Sequence, residues 1–490
     1  MSIHQEKYLS RLRALQKIST LLNSSLDPTE TREKAIAAAT VLMEADVGSL
    51  LLLDKANEHL YFDVALGEKG EQVRKIHLAL GEGIAGYVAK TGESVIVNDV
   101  QNDPRFSTKS DTQAHFLTRN MVCVPILAKD KLLGVLQAVN KKNGDDFDED
   151  DLQIFIGLAN QVGIAIENAN LYTEINGLFE GFIRAGVAAI ESRDPSTSGH
   201  SERVAVLTCN LTRAVDMNQH GPYAKTFFST SQIKEIRYAA MLHDIGKIGV
   251  HEHLLVKAEK LFPLESALIA ARFDYILRTL ELEASHKKMA ILIKGGAASE
   301  LSKIDEKFKR KREETEAILA SIWQCNRPTV LPQGEFESLQ KIATMQYDYF
   351  GQMMPYLTSN EVSRLSISKG SLTNSERLAI QSHVQYTSQI LLKIPWTESL
   401  KNVPTIARAH HEKLDGSGYP DQILEDAIPI QAKMMTICDI YDALTASDRP
   451  YKVAVPIPKA LAILEDEAGQ GKIDRDLLGI FLDSKAYLPG

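Results

Sequence analysis

The segment from His410 to Pro420, which reads HHEKLDGSGYP, constrains this chain more than any other. Two adjacent histidines rarely serve a hydrophobic core, because their four ring nitrogens would all need partners. Neutral imidazoles are good ligands for Zn, Fe, Mn or Ni. A second pair, His243-Asp244, lies upstream in the run AAMLHDIGK. We therefore expect a fold that gathers both pairs around metal.

The composition sets limits on the protein class. A chain of 490 residues is too long for a single core and is expected to form two or three domains. Its 44% hydrophobic and 24% charged content is ordinary for a soluble globular protein. A net charge of −9 argues against non-specific nucleic-acid binding, which needs a basic face.

The cysteines and the apolar runs bear on localisation. The chain has four scattered cysteines and no CxxC pair, which fits a reducing compartment better than a disulfide scaffold. Its first residues lack the apolar region of a signal peptide. No apolar run approaches the roughly 18 residues that span a bilayer. The sequence thus predicts a cytoplasmic protein without a membrane segment.

Residues 1–150 combine helical and strand-like patterns. Apolar spacing predicts a helix over 8–26 and a second near 28–44, which Asp27-Pro28 would cap and begin. Alternating apolar runs between Gly- and Asp-containing turns then predict strands. These runs are Val47–Leu53, Leu60–Ala65, Ser94–Val97, Val122–Leu127 and Lys131–Val139.

Three short motifs in this region point to a family. The run Gly81–Gly86 (GEGIAG), then Asn98–Val100 (NDV) and Pro104–Phe106 (PRF), occur in the order that resembles a GAF sensor domain. The resemblance implies an α/β fold with an antiparallel sheet and helices. It also implies either an unidentified small ligand or dimerisation as the role of this domain.

A signature of cyclic-nucleotide-binding GAF domains is matched only in part. Asn140-Lys141, Phe147 and Asp151 fit it, but Leu152 stands where the signature has Glu. A strand end and a helix cap explain the same residues, and this structural interpretation is the favoured one.

A long helix is predicted from Asp148 to about Arg184, and residues 151–184 are expected to connect two domains. Its apolar stripe predicts a parallel homodimer, and a single helix packed on its own domains is the alternative. The stripe consists of Leu152, Phe155, Leu158, Val162, Ala165, Ile166, Ala169, Tyr172, Ile175, Phe179 and Ile183.

The histidine tracts resemble the HD-GYP family of metal-dependent cyclic dinucleotide phosphodiesterases. The resemblance implies an all-α HD domain over 185–490 that holds two divalent cations. Iron is the first expectation for these cations, and manganese is the second. In it, Asp244 would bridge the metals and, with Lys247, would be catalytic. The implied ligands are His200, His243, Asp244, His383, His410, His411 and Asp439.

Two departures from the family pattern stand out. Ser196 replaces the glutamate that some members use for a third metal, so two metals are expected, although Glu191 or Asp194 could reach in. A much longer stretch than usual separates His243 from His383. We interpret its excess, residues 263–368, as a helical insertion whose charged run, Lys303 to Glu316, is a solvated helix face.

Substrate contacts are implied by the resemblance alone. The loop Gly418-Tyr419-Pro420 would border the cyclic dinucleotide and contact GGDEF-domain partners. Arg449 and Lys452 resemble the phosphate-binding cations of the family. Asp415 is either an acceptor that orients a ligating histidine or a turn residue before Gly416.

The sequence leaves three functions open. The leading one is hydrolysis of cyclic di-GMP to pGpG and/or GMP, regulated by a GAF sensor. A second keeps the chemistry and changes the substrate to another cyclic dinucleotide, such as 3′,3′-cGAMP. A third is a non-catalytic module that binds a cyclic dinucleotide or a GGDEF partner.

Overall fold

The protein forms two compact units, Met1–Gly181 and Phe182–Gly490, which we call unit 1 and unit 2. Secondary structure covers most of both units. Among the described residues, no helix is long and apolar enough to cross a membrane. The computed structural model describes residues 3–22, 24–54, 56, 58–65, 76–108, 111–112, 116–194, 198–331, 334–446 and 454–488.

Unit 1 is built on a six-stranded sheet in which all neighbouring strands are antiparallel. The strands are β1 (Ala45–Asp54), β2 (His59–Ala65), β3 (His77–Ala79), β4 (Val95–Val97), β5 (Met121–Ala128) and β6 (Lys131–Lys141). Their order in the sheet is β3-β2-β1-β6-β5-β4. All five predicted strands are present, and β3 was not predicted.

The helices of unit 1 begin where local chemistry predicts. The Asp27 carboxylate accepts a hydrogen bond from the Glu30 amide at 2.9 Å and caps the second helix, in which Pro28 is the first residue. In the GEGIAG motif, a side chain at Gly86 would lie 2.6 Å from the Ala79 carbonyl oxygen. The helices are α1 (Ile3–Leu22), α2 (Pro28–Leu42), α3 (Gly83–Thr91) and α4 (Glu149–Glu191), of which α4 continues into unit 2.

The sheet buries both of its faces. Alternation along β1 sends Leu50 and Leu52 to one face and Leu51 to the other. The first face packs against residues of α2 and α4, and the second against α3 and the neighbouring loops. The result is a layered α/β unit with an apolar core on each side of the sheet.

The predicted dimer stripe of α4 is used inside unit 1. Its residues Phe155, Leu158, Val162, Ala165 and Ile166 are buried in the core beside the sheet, and Ala169 is also buried. This is the alternative that the sequence left open, a helix packed on its own domain. A dimer through this part of the stripe is therefore excluded, because the face is already covered.

The partial cyclic-nucleotide signature has structural roles. Asn140 has a positive φ of 56°, and its side chain bonds the Arg119 amide and the Leu117 carbonyl. Lys141 forms a buried ion pair with Asp151, which also accepts a hydrogen bond from the Asp148 amide. These contacts support the favoured interpretation of a strand end and a helix cap.

This ion pair generates a stability prediction. In Asp151→Asn the Lys141 ammonium stays buried without its counter-charge, which costs about 3–5 kcal/mol of unfolding free energy. Trp323 and Trp396 both lie in unit 2, so tryptophan fluorescence reports unit 2 and far-UV circular dichroism reports both units. In urea, we expect an earlier dichroism transition and an unchanged fluorescence transition.

The exposed neighbour Glu149 provides the matched control, and Glu149→Gln should leave both transitions in place. An Asp151→Asn protein that unfolds at the parent's urea concentration by dichroism would show that the pair contributes nothing to unit 1.

Unit 2 is helical around the metal-ligand tracts. Its helices are α5 (His200–Met217), α6 (Thr230–Leu242), α7 (Glu252–Leu255), α8 (Pro263–Ile293), α9 (Ala298–Asn326), α10 (Glu335–Ala343), α11 (Ser359–Leu365), α12 (Asn374–Gln381), α13 (His383–Leu391), α14 (Val403–Arg408), α15 (Ile430–Thr445), α16 (Ile457–Gly469) and α17 (Arg475–Asp483). The helices that carry or precede these tracts are α5, α6, α13, α14 and α15, and each of them packs against at least one of the others.

The insertion has a core of its own, formed by apolar residues between Leu261 and Leu365. The prediction of an all-helical insertion was wrong in one respect, because β7 (Gln346–Tyr349) and β8 (Gln352–Pro355) form an antiparallel hairpin. Both strands are largely exposed, so they lack the apolar alternation that reveals a half-buried strand. The charged run of α9 is mostly solvated, as expected.

Candidate metal centre

The sequence-predicted metal ligands come from five helix ends or helix faces and converge in unit 2. His200 begins α5, His383 begins α13, and Asp439 lies inside α15. The His243-Asp244 pair follows α6, and the two adjacent histidines follow α14. Two groups of potential metal ligands result: one holds His200, His243 and Asp244, and the other holds His383, His410 and His411.

Three of the histidines are fixed in one tautomer by a backbone carbonyl group. Nδ1 lies within hydrogen-bond distance of the carbonyl oxygen three residues earlier, at 2.6 Å for His243, 2.7 Å for His383 and 2.6 Å for His410. A carbonyl only accepts, so Nδ1 carries the proton and Nε2 presents a lone pair. All three Nε2 atoms are buried without a hydrogen-bond partner among the described residues.

Unsatisfied buried acceptors are costly, at about 1–3 kcal/mol each. Three such ring nitrogens lie in one site, so they need a common explanation. A cation supplies it, because a neutral imidazole with its second nitrogen bonded to a carbonyl is the usual state of a metal-ligating histidine. The donor chemistry of the site therefore fits metal.

Two carboxylates connect the two histidine groups. Asp244 places Oδ1 3.3 Å from His383 Nε2 and Oδ2 3.5 Å from His243 Nε2. Asp439 places Oδ1 3.1 Å from His200 Nε2 and Oδ2 3.8 Å from His411 Nδ1. Each carboxylate thus lies near a histidine of both groups.

The electrostatics keep these carboxylates ionised. Burial alone would raise the pKa of Asp244, but the nearby Lys247 ammonium opposes it, and the pKa is held well below its usual value. Burial likewise opposes ionisation of Asp439, whose pKa is nevertheless lowered by the hydrogen bond and charge of His200. Both groups can therefore offer negative charge to cations.

The pKa values of His200 and His411 are shifted in opposite directions. Burial lowers the pKa of His200, but hydrogen bonds with Asp439 and Asp442 outweigh it and raise the pKa to about 9. For His411, burial dominates and lowers the pKa to about 3. The Asp442 carboxylate lies 2.7 Å from His200 Nδ1 and also accepts a hydrogen bond from Arg203 Nε at 2.7 Å.

Lys247 is held between two buried carboxylates. Its Nζ lies 2.8 Å from Asp244 Oδ2 and 3.3 Å from Asp194 Oδ2. Burial would lower the pKa of Lys247, but the charges of Asp244 and Asp194 outweigh it and raise the pKa. The side chain therefore stays a cation beside the candidate bridging ligand.

The two carboxylates considered for a third metal have other partners. Glu191 accepts hydrogen bonds from the Gly199 and Ser201 amides at 2.8 and 3.2 Å and so caps α5. Asp194 bonds Lys247. Ser196 lies outside the described residues. The expectation of two metals stays a prediction.

Family comparisons match both units. Residues 25–167 match the family described as GAF domain, and residues 197–323 and 338–477 each match a family described as HD domain. The first HD match includes His200, His243 and Asp244, and the second includes His383 and Asp439. The chain combines a GAF domain with an HD domain.

Curated relatives match parts of the chain. The "3'3'-cGAMP-specific phosphodiesterase 3" of Vibrio cholerae is 42% identical over 113 residues, which are 22% of this chain and 24% of that protein. A probable 3',5'-cyclic phosphodiesterase of Caenorhabditis elegans is 36% identical over 153 residues, 29% of this chain and 21% of that protein. The matches thus span about a quarter or less of these relatives.

Solved structures of GAF domains are similar to part of this chain. The GAF domain of an Acinetobacter phosphoenolpyruvate-protein phosphotransferase is 25% identical and covers 36% of this chain and 99% of its own, with a TM-score of 0.30.

In the HD domain, the Gly418-Tyr419-Pro420 loop folds back on the ligand-bearing segment. A side chain at Gly418 would lie 2.4 Å from the Lys413 amide nitrogen, so only glycine fits. The Tyr419 amide donates to the His411 carbonyl at 3.2 Å, and its ring centroid lies 4.7 Å from that of His411. The loop thus packs against a predicted metal ligand.

Sequence reasoning missed one residue that holds this loop. Glu412 is buried, and its Oε1 accepts a hydrogen bond from the Asp421 amide at 2.7 Å, just beyond Pro420. Arg408 then binds the Asp421 carboxylate through two nitrogens, at 2.6 and 2.7 Å. The position of Glu412 directly after the paired histidines was the only signal in the sequence.

Asp415 was predicted as a possible acceptor for a ligating histidine, and this interpretation was wrong. Its carboxylate accepts hydrogen bonds from the Ser417 amide and hydroxyl at 2.9 and 2.6 Å, in an exposed turn before Gly416. Asp442 instead accepts from His200. Arg449 and Lys452 lie outside the described residues.

The Asp442 contact predicts a metal-affinity effect in the HD domain. In Asp442→Asn the partner of His200 Nδ1 loses its charge, which should weaken metal binding about 10–100-fold. The measurement is Mn²⁺ affinity by competition with a chelator of known affinity. Asp415→Asn, a matched change in the exposed turn, should bind as the parent does. Equal affinities of both variants would contradict an orienting role for Asp442.

Proposed function

We propose that the HD domain of this chain hydrolyses a cyclic dinucleotide at a pair of divalent cations, Fe or Mn. The observation that carries this proposal is the set of buried, unpartnered Nε2 atoms on His243, His383 and His410. A second observation supports the proposal: Asp244 and Asp439 each lie near histidines of both groups. Imidazole and carboxylate donors suit Fe or Mn, whereas thiolates would favour zinc.

Cations bound there would supply Lewis acidity, which lowers the pKa of water and neutralises charge on a phosphodiester. The chain's own groups prepare the site for this chemistry. The depressed pKa values of Asp244 and Asp439 keep both carboxylates ionised. Lys247 stays protonated and places a fixed positive charge beside Asp244, where it can stabilise charge that builds up on phosphoryl oxygens.

The substrate class rests on the relatives and the resemblance. The Vibrio cholerae relative is named for 3'3'-cGAMP and the Caenorhabditis elegans relative for 3',5'-cyclic nucleotides. We propose cyclic di-GMP as the substrate and pGpG and/or GMP as the product. The name of the Vibrio relative favours 3′,3′-cGAMP as the second candidate.

The proposal includes the finer organisation of the chain. Residues 1–150 would form the sensor with an unidentified small ligand, residues 151–184 the connecting helix, and residues 185–490 the hydrolase with its insertion at 263–368. Gly418, Tyr419 and Pro420 would border the substrate, and Arg449 and Lys452 would bind its phosphates. The protein would act in the cytoplasm as a homodimer and contact GGDEF-domain proteins through the loop at Tyr419.

Steady-state hydrolysis of the two dinucleotides tests this function. We expect anaerobically purified protein to cleave cyclic di-GMP with the higher kcat/KM. Asp244→Asn should lower kcat more than about a hundredfold. Losing a residue that only hydrogen-bonds to a metal ligand costs about 10–100-fold, and losing a carboxylate that itself bridges the metals should cost more. Asp305→Asn, the same change on exposed α9, is the control and should retain the parent's rate.

The outcomes separate the candidates. Faster turnover of 3′,3′-cGAMP would replace the proposed substrate and keep the chemistry. An Asp244→Asn protein as active as the parent would contradict the assignment of the catalytic metal site to these residues. Tight binding of either dinucleotide without turnover by metal-loaded protein would favour a non-catalytic module.

A further inference from the structure

Two buried threonines of the HD domain donate hydrogen bonds to the backbone of predicted metal ligands. Thr387 Oγ1 donates to the His243 carbonyl at 2.9 Å, and Thr436 Oγ1 donates to the His410 carbonyl at 2.7 Å. Both threonine side chains are buried. A threonine inside a helix commonly donates to the carbonyl four residues earlier in the same helix. The bonds of Thr387 and Thr436 to histidine carbonyls connect separate segments of the chain.

Thr387 holds both ends of the turn that carries Asp244. Its hydroxyl donates to the carbonyl of His243 and accepts a hydrogen bond from the amide of Gly246 at 2.9 Å. The turn also lies directly against α13, because a side chain at Gly246 would lie 1.9 Å from the His383 carbonyl oxygen. Only glycine allows this approach. The turn and the helix that begins with His383 are therefore joined by Thr387 and by direct backbone contact.

Thr436 makes a similar link elsewhere in the site. It lies in α15, three residues before the predicted ligand Asp439, and it reaches across to the carbonyl of His410. Its hydroxyl also lies 2.9 Å from the carbonyl of Ala432 in the same helix, so its single proton is shared between two acceptors. Thr436 thus holds the backbone of His410 against the helix that carries Asp439.

The Thr387 link crosses from one ligand group to the other. His243 and Asp244 belong to one group, and His383 belongs to the other. The hydrogen bonds hold the backbone of both groups, so the polypeptide sets their separation before any cation binds. A buried carbonyl or amide that loses its partner is costly, so the link resists displacement of one group against the other.

We propose that Thr387 and Thr436 are positioning residues that set the separation of the two cations and thereby allow the second cation to bind. This inference rests on the cation pair of the proposed function. The hydroxyls act through the backbone of His243 and His410, not through a ligating atom. Without them one cation can still bind, but the ligand groups shift against each other and hold the second cation weakly.

The side-chain hydroxyl of Thr387 can be removed with little change of shape. Thr387→Val loses both hydrogen bonds of this hydroxyl, whereas Thr387→Ser retains the hydroxyl and should rescue the site. Thr212→Val is the matched control. Thr212 is buried in α5, where its hydroxyl donates to the Thr208 carbonyl of the same helix at 2.7 Å and lies 3.9 Å from the sulfur of Met434.

Titration of the full-length protein with Mn²⁺ tests the inference, after bound metal has been removed with a chelator. Equilibrium dialysis counts the ions and gives their affinities, and electron paramagnetic resonance shows whether two bound ions are magnetically coupled. We expect two coupled ions in the parent, in Thr387→Ser and in Thr212→Val. In Thr387→Val the second ion should bind at least about tenfold more weakly, and the ion that remains should give an uncoupled spectrum.

A second variant covers the case in which Thr387→Val does not fold. Thr436→Val should weaken the second ion in the same direction and by a smaller factor, because Thr436 shares its proton with the carbonyl of Ala432. Circular dichroism at the titration temperature establishes that each variant is folded, so a general loss of stability does not account for a change in affinity. Parent-like binding of the second ion by Thr436→Val would count against the inference.

The outcomes separate this inference from the proposed function. Parent-like affinity and coupling in Thr387→Val, or an equal weakening in Thr212→Val, would overturn the inference alone. A parent that binds one ion or none would contradict the cation pair and the inference together. Two coupled ions in the parent and a weakened second ion in Thr387→Val, without hydrolysis of either dinucleotide by the parent, would support the inference and contradict the proposed function.

Discussion

The unpartnered ring nitrogens of His243, His383 and His410 are the constraint on which the arrangement of unit 2 depends. Each ring is oriented by a carbonyl of its own helical turn, so its direction is fixed before any metal arrives. The helices α6, α13 and α14 must then end or begin at one place for the three lone pairs to meet. A shift of any of these helices would leave a buried nitrogen facing apolar side chains, at a cost of about 1–3 kcal/mol.

The balance of charges is a second constraint on the candidate metal site. The two shared carboxylates bring negative charge into a buried site, and the nearby cations Lys247 and His200 oppose it. Asp442 and Arg203 orient His200 from behind, and Asp194 does the same for Lys247. The site is thus a preorganised set of donors, which is the condition for electrostatic stabilisation of a charged reaction.

Residue patterns predicted much of the fold and of the ligand set, for identifiable reasons. The predicted strands of unit 1 have apolar runs that alternate or continue, and even the short β4 consists of three apolar residues. By contrast, β3 (His77–Ala79) buries only Leu78, so it leaves too short an apolar pattern. The candidate ligands could be named because their motifs are local and resemble those of a known family, and the structure brings them together. The role of Glu412 depends on where the Asp421 amide lies, and that is a property of the folded loop.

Helix α4 shows a further limit of sequence patterns. Apolar periodicity predicted a helix with one interacting stripe, but a sequence does not say which apolar face its own domain covers. In the structure, Leu158 and Val162 pack against the sheet, while Ile175 and Leu178 stay exposed on a different side. Burial therefore distinguishes two faces that the spacing alone had merged.

Metal stoichiometry tests the central claim most directly. Full-length protein would be purified without oxygen, with iron or manganese supplied during growth, and its metal measured by mass spectrometry against protein concentration. The arrangement of two histidine groups joined by Asp244 and Asp439 predicts two transition-metal ions per chain, and a loss of metal in His410→Ala. Protein that is folded yet binds no metal under either supply would contradict the account.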